Sequence, residues 1–395
     1  MILFFPFDLL SHYLRCLQLA ETMKEEQIMF PFSAHYQHLV EQKGFAMFPF
    51  RGLPVQEVMD GALNFRFTWM REELLETAFL EQVAILKHFR PRLVVGDASF
   101  TLRMAAAYAQ VPYLSLINGY MSDYYALPRR LPPSHWAYRS FFFVPRTFYD
   151  KISVLAERMM MRRLHRPFRH LAKKYGLPPK QNLFQELQGE RTLLLDLPLL
   201  FPQKHLPKHH AFIGPLCHSS DTKETTITKW LTRGKKTLFV STGSSGDLSK
   251  FRFLADESFG HYQILVSGKG GDMLKAPHIF FQEFIHLESL LPQIDLFLCH
   301  AGNGTLYLAL KAGIPVLCAP SHFEQEWNLQ ALEKMGWGAR LKEPKHAKNQ
   351  IHAWSVLKNT EAWKEKLPVI ELTETKRLFR AQVEKLLTQE KHPLS

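Results

Sequence analysis

The chain of 395 residues carries 49 Lys and Arg against 37 Asp and Glu, a formal charge of +12, with 46% apolar residues. It is long enough to bury a full core and to form two domains. Four widely spaced cysteines (Cys16, Cys217, Cys299, Cys318) without a C-x-x-C exclude a disulfide framework or a zinc site and read as buried thiols in a reducing compartment.

No apolar run approaches the length of a membrane span, and the N-terminus lacks the basic region and cleavage site of a signal peptide. A cytoplasmic protein is expected. Ile2 to Pro6 reads as a first strand, and Asp8 to His12 as a loop leading into a helix from about Tyr13 to Lys24. Ile28 to Phe32 is the next strand, followed by helical patterns at Tyr36 to Gln42 and Trp69 to Phe89, the second stopped by Pro91. Leu93 to Asp97 is a buried strand with Asp97 at its C-terminal end, where ligands of open α/β sheets gather. A helix (Thr101 to Ala109) and a strand (Tyr113 to Ile117) follow, with Asn118-Gly119-Tyr120 at the end of that strand. This alternation predicts a doubly wound parallel sheet.

From Tyr120 to Leu187 the rhythm lapses. Aromatics (Trp136, Tyr138, Phe141 to Phe143, Phe148, Tyr149) and prolines precede a long helix of about Asp150 to Tyr175, rich in Met and Arg. Between Arg129 and Lys174 there are twelve Lys or Arg against Asp150 and Glu157. Such a segment suits an anionic membrane surface or a lipid-phosphate acceptor, or is an ordinary helix with a core stripe of Met160, Leu164 and Phe168 and solvated arginines. No nucleic-acid motif accompanies the charge, so nucleic acid is not an expected partner. Leu193 to Asp196 and His210 to Ile213 are the last strands of this half; His205, His209 and His210 sit in a Pro- and Lys-rich loop without a matching metal ligand. The polar stretch 216–235 reads as a linker.

The second half opens with a strand, Thr237 to Ser241, running into a Gly-Ser loop, and strands at Gln263 to Val266 and Ile279 to Glu283 follow. The stretch Leu296 to Leu341 is strand (Leu296 to Cys299), tight turn (His300 to Thr305), helix (to Lys311), strand (Ile314 to Ala319), polar turn and helix (Trp327 to Met335). Glycines let the backbone approach a ligand closely, and a helix's first amides are unpaired donors at the positive end of its dipole. Phosphate is the natural guest, with His300 and Thr305 as added donors.

His-x-Gly-x-Gly-Thr, then Gly-x-Pro-x-x-x-x-Pro, then Glu324-Gln325 and Asn328 resemble the donor-binding signature of the GT-B glycosyltransferases, in particular the plant and antibiotic-pathway family, with the peptidoglycan lipid-linked transferases as cousins. The resemblance implies an α/β GT-B fold: two Rossmann-like domains with parallel sheets facing a central cleft. It implies an acceptor domain (1–215), the linker, a donor domain (236–370) and a C-terminal helix (371–395) packing back on the first domain. His300, Gly302, Gly304 and Thr305 become diphosphate contacts, Glu324, Gln325 and Asn328 donor-sugar contacts, and Gly243 and Ser244 phosphate contacts from the Gly-Ser loop. Phe284 to Leu287 matches the segment that packs the nucleobase. In plant members a His in the first loop deprotonates the acceptor and an Asp at a later strand end orients it. The matching residues are His12 and Asp97, and the chemistry is sound because a neutral imidazole takes a proton that a carboxylate helps it hold.

One position departs from the family: the ribose-binding Glu eight residues after the His is Leu308, which accepts no hydrogen bond. A dTDP-sugar donor, or loss of donor binding, would follow. No D-x-D occurs, which fits a metal-independent enzyme. The expectation is an inverting transfer from a UDP- or dTDP-sugar donor to an acceptor hydroxyl, without metal or other cofactor, by a protein that is cytoplasmic or peripheral at the inner face of a membrane. The alternatives are a nucleotide-sugar epimerase or a scaffold protein without donor chemistry.

Overall fold

Runs of Ile, Leu, Val and Phe that are apolar on both faces become interior strands of two parallel sheets. The computed structural model describes residues 1–64, 66–130, 146–217, 224–232, 234–243, 246–268 and 270–389. Among these, β1 (Ile2–Pro6), β2 (Ile28–Pro31), β3 (Ala46–Phe48), β4 (Leu93–Asp97), β5 (Tyr113–Ile117), β6 (Arg191–Leu194) and β7 (His210–Phe212) form one sheet, in the order β3-β2-β1-β4-β5-β6-β7. The second sheet holds β8 (Lys236–Ser241), β9 (Tyr262–Ser267), β10 (Ile279–Phe281), β11 (Leu296–Cys299), β12 (Val316–Cys318) and β13 (Gly338–Arg340), in the order β10-β9-β8-β11-β12-β13. Each is a Rossmann-like sheet whose strand order reverses once, between β1 and β4 and between β8 and β11. Ligands of such sheets bind at the C-terminal strand ends beside that reversal.

The chain divides into two units, Met1–Leu216 with Glu371–Ser395, and Cys217–Ile370. The last helix, Leu372–Gln389, sets Phe379, Val383 and Leu386 into the same core as Phe4, Phe30 and Leu193. Helix Glu72–Phe89 covers the other face through Leu75, Phe79, Val83 and Leu86.

Four sequence expectations change. His12 is not in a loop: the first long helix starts earlier, Leu10–Ala20, because the amides of His12 and Tyr13 both reach the Leu9 carbonyl. The long basic helix is two, Arg146–Leu164 and Arg166–Lys174, since Pro167 offers no amide and occupies the first turn of the second. Its core contribution comes from Met161, Leu164 and Phe168, while Met160 points outward, 38% exposed. The 216–235 linker contains the helix Thr225–Trp230, held by a fully buried Ile227 and by Trp230 against Phe280, ring centroids 5.5 Å apart. Strands β3 and β13, three residues each, were not expected. Trp136, Tyr138 and Phe141 to Phe143 lie outside the described residues.

Candidate active site

In the N-terminal unit, β4 ends in Asp97, which is completely buried. Ala98 follows in left-handed backbone, φ 54°, a conformation that costs a non-glycine residue about 1–2 kcal/mol and turns the chain sharply off the strand. His12 and Arg15 lie one helical turn apart and so share a face. His12 Nδ1 is 2.9 Å from Asp97 Oδ1. Arg15 grips both carboxylate oxygens, and the Cys16 thiol lies 3.9 Å from Oδ2. Burial alone would raise the Asp97 pKa, but the Arg15 charge and then His12 outweigh it and hold the carboxyl below its usual range. Burial likewise opposes the charge on Arg15, and Asp97 more than restores it.

The network runs on: Arg15 Nη1 donates to Asn118 Oδ1 at 3.1 Å, and Asn118 Nδ2 and the Gly119 amide donate to Asp196 Oδ2 at 3.3 and 2.5 Å. Asn118 therefore serves the protein's own charges. The same Nδ1 also lies 2.9 Å from Arg15 Nη2, which can only donate, so one ring nitrogen faces both a donor and an acceptor; in the tautomer with the hydrogen on Nδ1, turned to Asp97, Nε2 is the base. A small cavity of about 50 Å³ in the same unit is lined by Phe7, Asp8, Tyr13, Phe32, Phe50, Arg51 and Phe100 among others, though not by His12 itself. Phe7 meets the His12 ring edge-on, centroids 5.9 Å apart, and Asp8 Oδ1 is buried without a partner.

In the C-terminal unit the equivalent strand, β11, ends at Cys299, and His300 follows it. Here too a left-handed alanine follows, Ala301 at φ 70°. Asn328 Nδ2 donates to the Ala301 carbonyl at 2.9 Å, so Asn328 braces this turn from behind. The His300 ring lies between two glycines: a Cβ on Gly302 would come within 2.3 Å of Nε2, and one on Gly243 within 2.9 Å of Cε1. Both glycines are needed for the ring to lie flat on the backbone. Gly304 is different. It is exposed, in the first turn of the helix Asn303–Lys311, and a Cβ there would meet nothing within 4 Å.

His300 Nδ1 faces the Ser241 carbonyl at 3.4 Å, so in the neutral ring it is the donor and Nε2 a lone pair. Burial, with a smaller push from Lys250, lowers its pKa to about 4. His322, absent from the sequence reading, precedes the helix Phe323–Met335; it is buried, and its Nδ1 has no partner among the described residues. Burial, then His300, then Lys250 push it down to about 3. Lys250, also missed, anchors its amine 3.1 Å from Ser321 Oγ and on the Pro320 carbonyl.

Thr305 and Glu324 are half-buried at the starts of their helices. Gln325 is buried and takes the Ser321 amide at 2.7 Å. Ser244 lies outside the described residues. Phe284 is 47% exposed and edge-on to His286, whose amide donates to Glu224. Leu308 is buried on the same helix as Gly304.

Residues 285–373 match the family model described as UDP-glucoronosyl and UDP-glucosyl transferase. A "PGL/p-HBAD biosynthesis glycosyltransferase" of Mycobacterium tuberculosis is 27% identical, over 84% of this chain and 78% of its own. The fold is shared with the calicheamicin glycosyltransferase CalG4 (TM-score 0.67, 16% identity, 98% of each chain) and with the Streptomyces sp. SF2575 glycosyltransferase SsfS6, solved in complex with thymidine diphosphate (TM-score 0.63, 14% identity, 99% of each chain). Two Rossmann-like units give the chain the GT-B fold, and its C-terminal unit is similar to the UDP-glucoronosyl and UDP-glucosyl transferases. The chain is a glycosyltransferase.

Proposed function

We propose that the chain transfers a sugar from a UDP- or dTDP-sugar to an acceptor hydroxyl, with inversion at the anomeric carbon and without a metal ion. The observation that carries the donor half is the His300 ring set between Gly243 and Gly302, beside a glycine with no packing neighbour. This is backbone shaped for an outside group, and its unpaired helix amides suit an anion. His300, His322 and Thr305 supply donors to the departing diphosphate, with Lys250 adding positive charge nearby, a set that neutralises the leaving group without a cation. Glu324 and Gln325 take the donor sugar.

On the acceptor side, His12 Nε2 removes the hydroxyl proton as the oxygen attacks the anomeric carbon, and Asp97 stabilises the imidazolium that forms. A single displacement of this kind inverts the centre. The aromatic cavity, which shares Phe7 with the His12 contact, suits an apolar group of the acceptor, and the unpartnered Asp8 oxygen suits one of its hydroxyls. An epimerase has no use for such a cavity. Leu308, a hydrocarbon where many members of the resembling family carry a ribose-binding Glu, favours a deoxyribose donor. The basic helices of the same unit suit a reaction carried out at a membrane surface.

Calorimetric titration with UDP, dTDP and GDP tests the donor half, with dTDP expected to bind most tightly; no binding of any nucleotide would reject it. NMR of the product's anomeric proton, with and without a chelator, then reads inversion and metal independence.

A further inference from the structure

The helix Arg146–Leu164 turns by about 100° per residue, which brings Phe148, Leu155 and Met159 onto one line. These side chains are 58%, 60% and 65% exposed, an unusual crest of large apolar groups. The exposed Lys151, Arg158 and Arg162 run along one side of the crest and Arg163 along the other. The helix has two acids, Asp150 and Glu157, and both are on the inward side with the buried Tyr149, Ser153 and Met161. There they are ion-paired with Arg130 at 2.7 Å and Arg129 at 2.5 Å. The outward face of this helix thus carries no carboxylate. The next helix continues it with the exposed Arg166, Arg169 and Lys173, while His170 and Lys174 turn to Glu72 and Glu76.

We infer that this face docks on an anionic lipid bilayer, with Phe148, Leu155 and Met159 in the interface and the arginines on the lipid phosphates. Charge selects the occupant: a surface with positive groups on both sides of an apolar crest complements a layer that is anionic above and hydrocarbon below. Nucleic acid would satisfy the arginines but leave the three apolar groups against phosphate. A protein surface would have to match both features along four turns. Among the described residues no helix is long and apolar enough to cross a membrane, so attachment here is by a face. The inference deepens the membrane reading above but not the transfer chemistry, and the assay below contains neither donor nor acceptor, so failure of either leaves the other standing.

The experiment is flotation of the full chain with vesicles of phosphatidylcholine alone or mixed with phosphatidylglycerol. Wild type should float with the mixed vesicles and little with the neutral ones. Arg162→Glu with Arg163→Glu and Arg166→Glu should lower partitioning by at least about tenfold. Leu155→Ser with Met159→Ser, which removes no charge, should lower it severalfold. All five sites are exposed, so unchanged thermal unfolding certifies the fold. Failure of wild type to float, full binding by either variant, or duplex DNA bound as tightly as the mixed vesicles would each overturn the inference.

Discussion

The two units place their chemistry at the same topological point and treat charge in opposite ways. In each, the key side chain stands at the C-terminal end of the strand just past the order reversal, Asp97 as its last residue and His300 as the residue after it, and a left-handed alanine turns the chain away. The N-terminal site buries ions and pairs them: Asp97 with Arg15 and His12. The C-terminal site buries two imidazoles, one of them with Nδ1 lacking a partner among the described residues, and burial keeps both neutral near pH 7. A site that must pass a proton keeps a fixed counter-charge ready. A site that must receive an anion is better left uncharged until the anion arrives, because a permanent buried cation would carry a desolvation cost in the empty protein.

The comparison is broken most directly at Arg15. Replacing it with Met leaves Asp97 buried without its guanidinium, and removing half of a buried pair costs about 3–5 kcal/mol. Denaturant unfolding should show that loss in the N-terminal unit, with nucleotide binding by the C-terminal unit retained. His12→Ala acts on the other axis. It should lower kcat by roughly 10²- to 10⁴-fold and leave the dissociation constant of the nucleotide unchanged; a mutant with full turnover would remove His12 from the mechanism.

Acid should separate the two sites by window, once the buried His210 of the N-terminal unit, itself pushed down to about 4, is replaced by Phe so that it adds no loss over the same range. His300 and His322 have folded pKa values of about 4 and about 3, below that of an unfolded histidine, about 6.5. The unfolded chain therefore binds more protons as pH falls below about 6.5, and the stability of the C-terminal unit drops from there down towards pH 4. Asp97 is shifted down from an unfolded value of about 3.9, so its contribution is intact above that pH and is lost only as pH falls further. Unfolding followed separately in the two units between pH 7 and pH 3 checks the order. The same imidazoles sharpen the donor prediction. With Nδ1 of His300 turned to the Ser241 carbonyl, an oxyanion at Nε2 needs the imidazolium, so nucleotide binding should take up protons and tighten as pH falls from 7.5 to 5.5. Calorimetry in buffers of different ionisation enthalpy measures that uptake, and His300→Gln should abolish most of it.

Much of this was legible in the chain because parallel strands buried on both faces are continuous apolar runs. Leu93 to Asp97 and Leu296 to Cys299 stand in the structure at the residues their patterns marked. The three-residue strands β3 and β13 are too short to show a period. Ile227 and Trp230 sit among Thr and Lys, so a polar composition concealed a packed helix. At the site, His12 and Asp97 are brought together, and Arg15 could have been found from its place three residues after His12 on one helix. His322 carried no such signal: one of 19 histidines, its burial and its empty Nδ1 come from tertiary packing alone. Asn328 was legible as a site residue but not as the brace of Ala301, since strain in a turn is invisible in residue types.

The smallest expected effect gives the finest discrimination between a glycine kept for the fold and one kept for a ligand. Gly302→Ala drives a methyl into the His300 ring and should disturb the turn whether or not a ligand binds. Gly304 has no neighbour to offend and its backbone is not left-handed. In a helix's first turn, alanine is favoured over glycine by about 0.5–1 kcal/mol. Gly304→Ala should therefore raise the melting temperature by roughly 2 °C while weakening nucleotide binding, because the added methyl occupies the space the diphosphate approaches. Stabilisation together with weaker binding is the signature of a residue retained against the interest of the fold. Stabilisation with unchanged binding would mean that the diphosphate does not pass over this turn, and would shift the donor contact to the His322 side of the site.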